Sequence, residues 1–296
     1  MSSAACIIEP NPDVTGTGIR ISIYALALGG RVISFIASQI GNEEDTKELR
    51  ESIDVTLSVQ GLALLFTAVT QAFLNKLTLF HAICVIHLLA LLGINLPRQA
   101  KYRNVGVLRM YVWLGIKFCA SGVFMAFATY IWYTARTFGV QPECNADIIY
   151  VVFGISIPAT SAALRWIMVG TLLITAFWTL VGAVLMVCFY AFFSWQARRH
   201  PNGWETFRYP EQRPTTNEGE TKVELWIGMI IAVGFNIYAM VSLEQTISRN
   251  SIGLGEREWT FGQILSIFML VGVANECVNF VLAYLDRLER ERRHAE

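Results

Sequence analysis

The 296 residues are 54% hydrophobic and 16% charged, with a mean hydropathy of +0.46, too apolar for a domain whose whole surface stays wet. Basic and acidic residues number 23 each, and no long basic run lies away from the apolar flanks, which leaves nucleic-acid binding without electrostatic support. A bilayer is the expected solvent: about 20 apolar residues in a helix cross a hydrocarbon core of about 30 Å.

Residues 1–16 carry neither a basic n-region nor a continuous apolar core, so they read as an outer amino-terminal arm rather than a cleavable signal peptide. Seven apolar stretches follow, at 17–40, 53–74, 77–96, 110–134, 166–193, 223–247 and 259–284. The first is the least regular, because Arg20, Arg31 and Gly29-Gly30 interrupt it. Asn75-Lys76 forces a tight hairpin between the second and third, and Leu96-Pro97 closes the third. The outer loop 135–165 holds a short apolar run, 148–158, too brief to span and suited to lying on or re-entering the membrane. Loop 196–222, with three prolines and two glycines, is expected to be irregular, and 285–296 forms a charged tail. No internal repeat is visible, which counts against an inverted-repeat transporter.

Lysines and arginines outside these stretches fall fifteen on one side and five on the other, the five being Lys76, Arg136, Arg165, Arg249 and Arg257. Positive charge is retained in the cytoplasm, so the expectation is an all-α seven-transmembrane-helix bundle with its amino terminus outside and its carboxyl terminus cytoplasmic. Six of the eight tryptophans sit near stretch ends, as interfacial anchors do. A plasma-membrane location is favoured.

Intramembrane polar groups are costly, so each is a candidate site or a helix-to-helix tie. Toward the outer face lie Arg20, Gln71, His81, Glu244 and Gln263; toward the inner face lie Arg31, Lys117, Asn275, Glu276 and Asn279. Glu276 is expected to pair with Lys117 or Arg31, and Arg20 with Glu244. His81 and His87 project about 120° apart on one helix and cannot grip one metal together. The last stretch lacks the lysine of a retinal Schiff base, and no nucleophile elbow, phosphate loop or zinc-helix motif occurs. The reading is a non-enzyme with no cofactor and no metal.

Cys84, Cys119, Cys188 and Cys277 fall within apolar stretches, where packing is the usual role. Cys6 and Cys144 fall outside them, on the same expected outer side, where a disulfide is permitted. Cys84 with Cys144 is the alternative pairing.

Asn11-Pro12-Asp13-Val14 with Gly16, Gly18, Arg20 and Tyr24, then Phe138-Gly139 with Pro142-Glu143-Cys144-Asn145, then Trp259-Thr260-Phe261-Gly262-Gln263, resemble a set of fungal multi-pass membrane proteins. That resemblance implies a seven-helix bundle and marks Arg20, Cys144 and Gln263 as family-typical, and it implies no activity. Asp13 is placed to cap the first helix, and Gln263 to reach Asp13 or Arg20.

The functional expectation is a receptor-like sensor without catalytic activity. Its partners would be the lipid bilayer and a cytoplasmic protein contacting 196–222 and 285–296, with self-association open to it. An ion channel or small-solute transporter using the intramembrane charges, and a ligand-free membrane organiser, are the alternatives.

Overall fold

A computed structural model describes residues 6–40, 43–93, 107–199 and 218–295. Of the described residues, 81% are helical. In chain order the helices are α1 (Pro12–Thr15), α2 (Thr17–Tyr24), α3 (Arg31–Ile40), α4 (Glu43–Phe73), α5 (Leu79–Leu92) and α6 (Val107–Thr134). Strands β1 (Ile149–Val152) and β2 (Ile155–Pro158) come next, followed by α7 (Ala162–Arg199), α8 (Glu218–Ser248) and α9 (Phe261–Ala295). Among the described residues, five helical segments are long and apolar enough to cross a membrane, whereas α5 and the apolar end of α6, Phe118–Thr134, are shorter.

The most apolar helix, α5, is the hub. Eleven of its 14 residues are buried, including Phe80, Leu88 and Leu91, because α2, α4, α6 and α8 surround it. Thr78 caps its start, the hydroxyl accepting from His81 N at 3.4 Å. Helix α9 packs against α2 and α4, and α7 leans chiefly on α6. Away from these contacts α7 exposes Leu173, Ile174, Phe177, Trp178 and Leu185, an apolar exterior that belongs in lipid rather than water.

Between α2 and α3 the chain makes one wide π turn, Ala25–Gly30. Two features hold it. The buried Asn236 amide on α8 donates to Ala27 O at 3.0 Å, satisfying a carbonyl in the wide turn, and Gly30 sits where a Cβ would come within 2.8 Å of Ile53. Gly30 thus serves close packing against α4, whereas a Cβ at Gly29 would meet nothing within 4 Å. At the α4–α5 hairpin Asn75 takes a φ of 50°, the left-handed position in which asparagine is tolerated.

The connection between α6 and α7 adds a small hairpin to the helical architecture. Residues 149–158 form an antiparallel hairpin with Val152 opposite Ile155, closed by Phe153 (φ 50°) and Gly154 (φ 77°). Positive φ at both central residues defines the type I′ turn that matches strand twist. The free edge of β1 is not left open. Ile149 N donates to Asn250 Oδ1 (3.0 Å), whose amide donates to Ile149 O (2.8 Å); Val151 N donates to Thr246 Oγ1 (3.1 Å), while the Ser242 hydroxyl donates to Val151 O (2.6 Å). Phe153 N donates to Tyr238 OH at 3.2 Å. The α8 side chains recur every four residues, a rise of about 6.0 Å, and the strand groups every two, a rise of about 6.6 Å, so a helix face serves as the neighbouring strand.

Candidate functional site

The outer polar layer is organised by the amino-terminal arm. Cys6 is disulfide-bonded to Cys144, with Cα atoms 5.6 Å apart, and Cys84 is a buried free thiol. Two residues on, Ile8 makes a parallel bridge with Ile252: Ile8 N donates to Ser251 O (2.9 Å) and Gly253 N to Ile8 O (3.0 Å). Glu9 N donates to Gln141 Oε1 at 3.0 Å. The arm is therefore tied to the α6–α7 and α8–α9 connections before it turns into α1.

From Asn11 onward it meets the bundle. Asn11 N donates to Glu256 Oε2 at 2.7 Å, and the Asn11 amide donates to Gln71 Oε1 at 2.6 Å. The buried Thr15 hydroxyl donates to Glu256 Oε1. His81, fully buried on α5, places Nε2 3.3 Å from Glu256 Oε2, and its Nδ1 lies 2.7 Å from Thr78 Oγ1. An ionised carboxylate only accepts, so Nε2 is the donor in this contact. Glu256 lies in the 3-10 turn Leu254–Arg257 between α8 and α9, outside the spans. Burial would raise its carboxyl, but the hydrogen bonds from His81, Thr15 and Asn11 N outweigh it and hold the group below the usual carboxylate range.

Gln263, buried on the first turns of α9, clasps the arm's far end. Its Oε1 accepts from Gly18 N (2.9 Å), and its Nε2 donates to Pro12 O (3.2 Å) and Glu258 O (2.9 Å). This approach requires Gly16 and Gly18, because a Cβ at either would collide with the Gln263 side chain. Gln263 thus reaches neither Asp13 nor Arg20. Asp13 makes no capping bond to α1 and lies exposed near Gly262, at the start of α9, where a helix dipole favours an anion.

Arg20 pairs with Glu244, as expected, and also donates from Nε to Thr15 O (2.9 Å) and from a terminal nitrogen to Thr17 Oγ1 (3.5 Å). The Tyr24 hydroxyl donates to Glu244 Oε1 at 2.8 Å. The Arg20 side chain is 14% exposed and the Glu244 side chain 47%, so the pair is buried on the arm's side and open on the other. There Glu244 borders a shallow groove of about 530 Å³ lined by Tyr24, Met240, Val241, Gln245 and Ser248.

The inner layer is looser. Arg31 opens α3, and the Asn279 amide donates to Glu276 Oε2 at 3.5 Å. Asn275 and Asn279 are exposed and Glu276 is half-buried. Lys117 lies on α6 with its side chain outside the described residues, as do loop residues 200–217. Among the described residues no three His, Cys, Asp or Glu side chains converge as metal ligands.

Reading polar residues by depth overlooked Glu256, which sits in a connection rather than a span. It also passed over Asn236 and Gln60, amides within apolar stretches that the same rule would have found. Gln60 Nε2 donates to Ser266 O at 3.1 Å, tying α4 to α9. The Ser242, Thr246, Asn250 series was equally visible as a four-residue period. No known family, curated protein or solved structure matches the chain.

Proposed function

We propose that the chain is a seven-span, receptor-like membrane sensor without catalytic activity, outside at its amino terminus and cytoplasmic at its carboxyl terminus, whose outer end is held closed by its own arm. The resemblance to fungal seven-helix proteins and the skewed flanking charge support the topology and a plasma-membrane location. The observation that carries the sensor reading is the position of Glu244. It faces an open groove with one side and Arg20 with the other, and Arg20 in turn holds Thr15 O of the arm and Thr17 Oγ1 at the start of α2. A cationic ligand, an amine or guanidinium, that enters the groove competes with Arg20 for the carboxylate and slackens the arm. Residues 196–222 and 285–296 would carry the change to a cytoplasmic protein.

The channel or transporter alternative draws on the intramembrane Glu276 with Asn279, and the ligand-free organiser on the satisfied bonding of the outer layer. Hydrogen exchange of residues 8–18 in full-length protein in lipid nanodiscs, titrated with alkylammonium and guanidinium ions, distinguishes these. Faster exchange in the wild type that is abolished in Glu244→Gln supports the sensor. Unchanged exchange at every concentration overturns it, and solute flux in reconstituted vesicles then points to a channel.

A further inference from the structure

The most informative unexplained surface is the outward face of α9. This helix turns Gln263, Val273 and Phe280 to α2 and α4. On its opposite side Phe268, Gly272, Asn275, Asn279, Leu282 and Asp286 are all exposed, at spacings of four, three, four, three and four residues. Alternating threes and fours keep one seam along a helix and are the pattern by which two helices pack side by side. The same spacing recurs on the exposed face of α7 at Leu173, Phe177, Leu180, Val184 and Val187, all apolar, so it is the two amides that set the α9 stripe apart.

Depth sharpens the point. Asn275 lies 11 residues before Asp286, about 16 Å along the axis, and Asn279 about 10 Å, so both fall within a core of about 30 Å if Asp286 marks its inner edge. Among the described residues the Asn275 side chain has no hydrogen-bond partner, and Asn279 reaches only Glu276, through its amide. Each carboxamide carries both donors and an acceptor, so it is complementary to a copy of itself. Gly272 stands one turn above, with nothing within 4 Å of where a Cβ would be, leaving room for another backbone to approach.

We propose that this seam is a homodimer interface, occupied by α9 of a second copy in parallel. Two copies inserted the same way place their amides at equal depth, so a two-fold axis along the membrane normal lets Asn275 meet Asn275 and Asn279 meet Asn279. Amides within the membrane-embedded part of a helix seam fix register and pairing, because any shifted or heterologous pairing leaves them unsatisfied. The proposal rests on α9 crossing the membrane and is independent of the ligand reading at Glu244.

The test is cysteine cross-linking of full-length protein in native membranes, in a background with Cys119, Cys188 and Cys277 replaced by alanine. Oxidation with copper phenanthroline is expected to give a dimer of twice the chain mass for Asn275→Cys and Asn279→Cys, and none for Leu173→Cys on the outer face of α7. Energy transfer between labelled copies in liposomes adds a second readout. Asn275→Leu with Asn279→Leu should weaken association about tenfold or more, and Asn275→Gln should retain it. An intact Cys6–Cys144 bond checks that each variant has folded. Cross-linking at 275 no stronger than at 173, a product containing a different protein, or energy transfer unchanged in the double leucine variant would each overturn the proposal.

Discussion

Glu256 and His81 meet at 3.3 Å although one lies in the α8–α9 connection and the other on the central helix. Their contact is also where the arm is held, since the same carboxylate accepts from Asn11 N and the Thr15 hydroxyl.

Replacing Glu256 by Gln keeps the shape and weakens three charge-assisted bonds. The expected cost is about 2–4 kcal/mol of arm stability, read as faster hydrogen exchange across residues 8–18 with little change in α7. Equal acceleration in both regions would show a global rather than a local role.

Acid should imitate that variant. The folded carboxyl is held below its ordinary 4.5, so the unfolded arm binds a proton first. The stabilisation is complete above about pH 4.5 and is lost as pH falls through the folded value. The arm's protection, corrected for the intrinsic pH dependence of amide exchange, should stay flat from pH 7 to about 4.5 and then fall toward pH 3, and Glu256→Gln should remove the fall.

Gly18→Ala is expected to cost about 1–3 kcal/mol, because its Cβ would lie 2.8 Å from Gln263 Cβ and 3.0 Å from the Trp259 ring. Pairing it with Gln263→Gly, which removes the Cβ it meets, should cost less than the sum of the two single losses in thermal melts, as coupled neighbours do.

The strand ladder on α8 predicts a cost without a cavity. Thr246→Val preserves volume yet leaves the Val151 N–H without its acceptor, which should destabilise by about 1–3 kcal/mol. Phe153→Asn should run the other way, by a few tenths to about 1 kcal/mol, since asparagine tolerates the φ of 50° better.

The helices were legible because lipid demands long apolar runs, and Arg20, Glu244, His81 and Gln71 were legible because polar groups inside such runs stand out. The hairpin at 149–158 was not, since a short apolar run reads alike as buried strand, re-entrant loop or surface helix until Phe153-Gly154 is taken as a turn. Glu256 was hidden for a different reason. Acidic residues in connections are ordinary, and only the three-dimensional return of the arm makes this one buried. Arg165 similarly looked like a loop charge, yet its guanidinium bonds Trp132 O at 3.1 Å and covers the end of α6.

The arm's partners set an order for making the protein. Asn11 emerges from the ribosome 245 residues before Glu256, and its clasp at Gln263 later still. At about 5–20 residues per second that is a wait of roughly 10–50 s. During that interval Cys6 can join Cys144, but the arm's inner seat does not yet exist. Helix α9 therefore completes the place where a segment made long before it rests, and a chain truncated before α9 would be expected to leave residues 8–18 open to proteases and to labelling reagents.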